Sequence, residues 1–369
     1  MFFHDAARTG IPAGQDGTAF GLELTQIDGT TLELFSDPRL ADESGVPSPA
    51  AKPLLRLVGL LHSGTRRWRA AVIGRYLDGE NARADGLEEH FGPGQLNLAD
   101  RGFFSMDRWI RSAAAGAHLL WRVKNGAKCV PFKTLKILKD GSELVLLRES
   151  SGMRTRRRKN AGDGSLPYLP DTIARLVCFT VLTRTRSGRV KTTQIRLLTT
   201  LLGPDLHPAS ELAALYGKRW IIEIAFLHLK KSVRGAGRVL RARPAELARQ
   251  EAWAFLLAHN VIAGLAARAA ALTGLTPGEI VFTAVLSLAR AAVIADTCCP
   301  HCGKRPASAN TPSVSLESAI AALPPGRTGR QRTSGRTAAQ RRTWTSEPAD
   351  YTITICPSNL PKADVSLRS

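Results

Sequence analysis

Tyr216, Arg219, Glu223 and Lys230 are spaced by 3, 4 and 7 residues. At roughly 100° per residue on an α-helix they fall within about 60° of the circumference and make one polar stripe. Leu215, Ile221, Ile222, Ile224, Ala225, Phe226 and Leu229 take much of the remaining surface. A carboxylate between an arginine and a lysine can bind a cation while the tyrosine, arginine and lysine contact phosphate oxygens beside it. The same spacing also suits a solvated face with ordinary helical ion pairs. In-line displacement at phosphorus with two divalent ions needs more than one glutamate, so further carboxylates must converge on it. Asp28 follows the apolar run 22–27 in Asp28-Gly29-Thr30, and Asp100 follows 96–99 in Asp100-Arg101-Gly102-Phe103. Each is expected where a strand gives way to a glycine, which leaves its carboxylate accessible; taken singly, each also reads as a turn aspartate.

Such a set needs a sheet to present the aspartates and a helix laid against it. Runs 22–27, 54–61 and 68–73 read as strands, the last two joined at Ser63-Gly64. Residues 80–90 have helix-forming composition, 96–99 is a short strand, Ser105 caps a helix to Ala115, and 118–123 is again a strand. Between 125 and 202 the pattern changes to strands with hairpin dipeptides Asp140-Gly141 and Ser187-Gly188, a β-rich insertion. Its basic run, Arg154, Arg156, Arg157, Arg158 and Lys159, suits either a DNA backbone contact or a solvated loop. Helices are expected over 208–234, 244–273 and 277–296, covering the sheet. Trp253 and His259 on the second of these read as core and cap residues. The fold class is α/β with a mixed sheet. Its expected parts are an N-terminal remnant (1–20), a first core part (21–124), the insertion (125–202), a second core part with C-terminal helices (203–296), and a Cys-containing loop with a basic, disordered tail (297–369).

Composition narrows the partner. Lys and Arg number 51 against 31 Asp and Glu, a net charge of +20 that favours a polyanion, either nucleic acid or an anionic membrane surface. The apolar stretch 252–275 is broken by His259, Asn260 and Arg268, so no transmembrane helix is read, and residues 1–5 lack the features of a secretory signal. Cys299 and Cys302 form half of a possible zinc site, but a closed site needs four ligands and only Cys356 lies nearby. Free thiols, with Cys298 among them, in a reducing cytoplasm fit better.

Taken together, these blocks resemble the bacterial insertion-sequence transposases of the DDE class, specifically the insertion sequence four family marked by Tyr-x2-Arg-x3-Glu-x6-Lys. Tyr216, Arg219, Glu223 and Lys230 match that motif in full, and the Asp-Gly-Thr and Ala-Asp-Arg-Gly-Phe blocks match at 28–30 and 99–103. The resemblance implies a ribonuclease H-like core in which Asp28, Asp100 and Glu223 bind two Mg²⁺ ions, with Mn²⁺ able to substitute. One ion would activate water or a DNA 3′-hydroxyl and the other would stabilise the leaving oxygen. Tyr216, Arg219 and Lys230 would hold phosphates of the transposon end. The implied partners are DNA, as terminal inverted repeats and target, and further copies of the chain on paired ends, in the bacterial cytoplasm at the nucleoid. Members usually carry a longer N-terminal region that helps bind the repeats, so this chain is expected to lack it, and the segment after Asp296 diverges. Two rivals stand beside this reading: a DNA-binding remnant that does not transpose, and a ribonuclease H-like nuclease that hydrolyses without strand transfer.

Overall fold

A computed structural model describes residues 17–125, 130–184, 190–296, 315–325 and 351–355. The chain forms two compact units, one from Met1–His90 with Arg219–Thr328, the other from Phe91–Lys218 with Gly329–Ser369. The first unit opens with β1 (Thr18–Ala19), β2 (Leu22–Glu33), β3 (Leu54–His62) and β4 (Arg67–Arg75), successive antiparallel partners. Helix α1 (Pro38–Ser44) lies between β2 and β3, and α2 (Glu80–Ala84) follows β4 and tightens into a 3₁₀ turn over Asp85–His90. The β3–β4 turn contains Ser63-Gly64, as expected. Strand β2, however, does not end before Asp28. Gly29 pairs with Val58, and Thr30 and Thr31, β-branched and suited to a pleated ladder, carry the strand on to Glu33. Asp28 is therefore a mid-strand residue, which corrects the strand-end expectation.

The second unit contains β5 (Gln95–Ala99), α3 (Met106–Ala114), β6 (His118–Val123), β7 (Phe132–Ile137), β8 (Glu143–Leu147), α4 (Ser151–Ala161), β9 (Thr172–Arg184), β10 (Val190–Thr199) and α5 (Ala209–Tyr216). Its sheet runs β5-β6-β10-β9-β8-β7, with β5 parallel to β6 and the other pairs antiparallel. A parallel pair needs a crossover, and α3, capped by Ser105 as expected, supplies it. The hairpin aspartate Asp140 does more than turn the chain. It accepts the N–H of Ala209 at 2.9 Å and pairs with the fully buried Arg175, which donates to the His207 carbonyl at 2.7 Å. These bonds fix the start of α5.

The basic run lies on a helix, α4, rather than in a loop. The Ser150 hydroxyl accepts from the Met153 N–H at its start, and Gly162, at φ 67°, closes its end in the left-handed region. Arg157 pairs with Glu149 at 2.9 Å, and Arg154 and Arg158 each donate to the Leu166 carbonyl at 3.0 Å. Arg157 also donates to the Pro167 carbonyl, so three of the five cations tie the chain after α4 to the helix, and Arg156 and Lys159 are left exposed.

The single helix expected over 208–234 is four pieces. After α5 comes a 3₁₀ turn, Gly217–Arg219, then α6 (Trp220–Leu227), then a π-helical turn, His228–Val233. The boundary between the units falls after Lys218. Helices α7 (Ala245–Thr273), α8 (Phe282–Asp296) and α9 (Leu316–Ala321) complete the first unit, α8 starting five residues later than expected from Pro277. Ile221, Ile222, Phe226 and Leu229 pack with Leu32, Leu55, Leu57, Trp68, Ala248 and Leu256 in one cluster, and the second half of α7 packs with α8 and α9 in another. Each large side chain so buried contributes about 1.5–3 kcal/mol, against about 0–1 kcal/mol for an exposed ion pair. The apolar face therefore holds α6 on the strands. Asn260 adds a two-way bond to the Trp68 backbone, accepting its N–H at 2.7 Å and donating to its carbonyl at 2.9 Å.

α7 is long and apolar enough to cross a membrane, but its buried residues serve both clusters, as those of a core helix do. His259, expected as a cap, is a buried mid-helix residue, 1 % exposed; Trp253 packs against the first cluster. The region 297–369, expected as loop and disordered tail, contributes α9, whose Ile320 is fully buried, and β11 (Tyr351–Ile355), which pairs antiparallel with β9. Residues 1–16, the Ser187-Gly188 turn, Cys298, Cys299, Cys302 and Cys356 lie outside the described residues.

Candidate active site

Side chains alternate along a strand, so Gln26, Asp28 and Thr30 share one face of β2. Each meets the segment from Arg219 to Lys230. The Ile222 N–H donates to Gln26 Oε1 at 2.9 Å, Arg219 Nη1 donates to Asp28 Oδ2 at 3.3 Å, and Lys230 Nζ donates to Thr30 Oγ1 at 2.7 Å. Arg219 Nη2 also donates to Glu223 Oε1 at 2.8 Å. One guanidinium, 11 % exposed, thus joins two of the three sequence-selected carboxylates. Lys230 lies within the π turn that begins at His228, and the wider winding of that turn changes the phase of Lys230 from that of an unbroken helix.

Burial pushes the Asp28 carboxyl up to about 6, with Glu223 and Glu80 adding to the rise and the Gly29 N–H and Arg219 opposing it. Its negative charge is thus only partly compensated. Burial, reinforced by Arg234 and Lys231, lowers the Lys230 ammonium below its ordinary range.

In the second unit Asp100 follows directly on β5. The hydroxyl of Tyr216, a largely buried residue at the end of α5, donates to Asp100 Oδ1 at 3.2 Å, and Arg122 Nη1 on β6 lies 3.6 Å from the same oxygen. The sequence-selected residues therefore form two groups: Asp28, Arg219 and Glu223 with Lys230 in the first unit, Asp100 with Tyr216 in the second. Among the described residues, no three His, Cys, Asp or Glu side chains form a ready-made metal cage.

Four residues escaped sequence reasoning. Gln26 and Thr30 were legible in principle, since they flank Asp28 at the strand period of two. Arg122 and Glu80 carry no such signal. The Glu80 carboxylate occupies the space that a Cβ on Gly29 would fill, so the glycine of the Asp-Gly-Thr block makes room for a neighbouring side chain rather than a turn.

The transposase DDE domain family matches residues 76–261, half of the chain. That span includes Asp100, Tyr216, Arg219, Glu223 and Lys230 and leaves Asp28 before it. The chain is 30% identical over 248 residues to the transposase InsG for insertion sequence element IS4 of Escherichia coli (strain K12), an alignment covering 66% of this chain and 52% of that protein. It thus spans about half the length of this curated relative. Among solved structures, the piggyBac transposase in a synaptic complex with hairpin DNA, seen by cryo-EM, is similar over 87% of this chain and 60% of that one, at 9% identity and a TM-score of 0.40.

Proposed function

The chain belongs to the transposase DDE domain family, and on that premise we propose that it cuts DNA at the ends of an insertion sequence and joins the cut ends to target DNA. Asp28, Asp100 and Glu223 are the residues that would hold two Mg²⁺ ions, or Mn²⁺ in their place. The observation that carries the reading is the Arg219 guanidinium shared by Asp28 and Glu223. It puts a strand carboxylate and a helix carboxylate, 195 positions apart in sequence, around one cationic group. Their donors are carboxylate oxygens, the type that hard divalent cations take, and the upward displacement of the Asp28 carboxyl marks anionic charge that a cation would relieve. When bound, such ions supply Lewis-acid activation of the attacking oxygen and charge neutralisation at the leaving one.

The chain's own side chains then have separable tasks. The carboxylates hold the ions, Gln26 fixes the depth at which α6 sits on β2, and Arg219 and Lys230 meet phosphate oxygens. Tyr216, through its bond to Asp100, orients that carboxylate. Phosphate contacts position DNA without reading its sequence, so discrimination of terminal repeats by this chain is expected to be modest. Its partners are DNA, as transposon end and target, and further copies of the chain on paired ends, acting at the nucleoid of a bacterial cytoplasm. The β strands and α4 of 125–202 are assigned as the insertion within the catalytic core.

Asp28→Ala, Asp100→Ala and Glu223→Ala should each abolish Mg²⁺-dependent strand cleavage of an end-bearing duplex while each variant still folds and binds duplex. Cleavage and joining are read on labelled oligonucleotides. Near-normal cleavage by Glu223→Ala would remove it from the set, and hydrolysis without joined products would favour a nuclease over a transposase.

A further inference from the structure

We propose that Arg219 is a built-in counter-ion of Asp28 and Glu223 that a divalent cation displaces, so that metal loading and DNA binding are linked through one side chain. The inference rests on the reading of these carboxylates as metal ligands and adds how that site is regulated. A guanidinium does not lose its proton in proteins, so a cation approaching Asp28 and Glu223 meets a fixed positive charge already bonded to both.

Charge counting gives the direction. Two ionised carboxylates and one guanidinium sum to −1, a group that repels phosphate. A divalent ion on the carboxylates turns the same group to +1 and frees Arg219 from both of them to meet a phosphate oxygen. The displacement opposes only weak local preferences. Arginine four residues before glutamate is the less favourable order on a helix, and a cation at the start of α6 faces the positive end of its dipole. The half-exposed Trp220 ring, 5.5 Å from the Arg219 guanidinium, offers the displaced group an aromatic surface to move across. Coupling of this kind is reciprocal: phosphate that draws Arg219 away strengthens metal binding by the factor with which metal strengthens DNA binding.

The test is Mn²⁺ binding to the full chain, followed by the electron paramagnetic resonance signal of free Mn²⁺, with and without a short duplex of arbitrary sequence. Wild type, Arg219→Ala, Arg219→Gln and, as control, Glu223→Gln are compared. Without DNA, Arg219→Ala should bind Mn²⁺ more tightly than wild type, by about tenfold, and DNA should strengthen Mn²⁺ binding in wild type far more than in the variant. Equal or weaker DNA-free binding in Arg219→Ala overturns the proposal, including the case where DNA enhances both proteins alike because metal bridges directly to phosphate. Arg219→Gln, which is shorter but keeps a polar, hydrogen-bonding side chain without the charge, gives the same readings if the alanine variant does not fold. Failure of the underlying reading looks different: wild type and Arg219→Ala would then bind Mn²⁺ no better than Glu223→Gln.

Discussion

Lys230 distinguishes a phosphate contact from a structural one. Its ammonium is half-buried, lowered in pKa, and donates to Thr30 at 2.7 Å, so Lys230→Ala removes one hydrogen bond and one cation beside β2. If that cation contacts DNA, the slope of log affinity against log salt should become shallower by about 1, with little change in thermal stability. Titrations of a fluorescent duplex at several salt concentrations check this, and an unchanged slope would reduce Lys230 to a strut for Thr30. Its type and spacing from Glu223 were legible in sequence. The π turn that sets its direction was not, because winding between two motif residues depends on what the helix packs against.

The two glycines of the β2–β3 pair separate what a flexible neighbour tolerates from what a rigid one does. Gly59 pairs with Asp28, and a Cβ there would lie 2.7 Å from the ring of Trp68, a fully buried side chain. A Cβ at Gly29 would instead meet the far end of Glu80, which can rotate away. Gly59→Ala is therefore expected to cost about 1–3 kcal/mol as overpacking and Gly29→Ala distinctly less, as measured by urea unfolding of both variants. At the other edge, β8 pairs with β9 over 172–176 and β11 over 179–183. Truncation after Pro325 removes β11 and opens that length of β9. We expect a lower melting temperature and association through the bared edge, visible by thermal unfolding and size-exclusion chromatography; an unchanged melting temperature would show that β11 is dispensable. The composition of 327–342, rich in Arg, Thr, Ser and Gly, concealed this strand because an edge strand of five residues needs only a partner.

Across the whole molecule, pH should act through two histidines of the first unit. Burial, with Arg66 nearby, lowers His228 to about 4, and burial, with His228 nearby, lowers His259 to about 3. Phe282 stacks with both rings, at 4.2 and 5.1 Å, and His259 is 1 % exposed. Both folded-state values lie below the unfolded 6.5, so the neutral rings contribute stability that is full above pH 6.5 and is lost as pH falls toward 4 and then 3. Melting temperature should drop through that window, and His259→Phe should flatten the drop; equal slopes for wild type and variant would exclude His259 as a cause. The +20 charge acts at longer range, making affinity for arbitrary duplex fall steeply with salt.

What the sequence by itself determined about this chain is which residues are candidates for its chemistry. Residue type, spacing and family resemblance picked out Asp28, Asp100, Glu223 and the proposed phosphate contacts, and charge pointed to a polyanion, because those signals are local or compositional. Strands and capped helices were legible where period and caps coincided, as at Ser105 and at Pro244, which precedes α7. Tertiary structure decided how those residues are engaged. It extended β2 past Asp28, because ladder pairing with β3 outweighs the turn preference of Asp-Gly. It wound 154–159 into a helix, because Glu149 and the Leu166 carbonyl receive the arginines. It set Arg219 between Asp28 and Glu223, because burial of the apolar face of α6 presses that helix onto the strand, and a partner 191 residues away in sequence leaves no local trace.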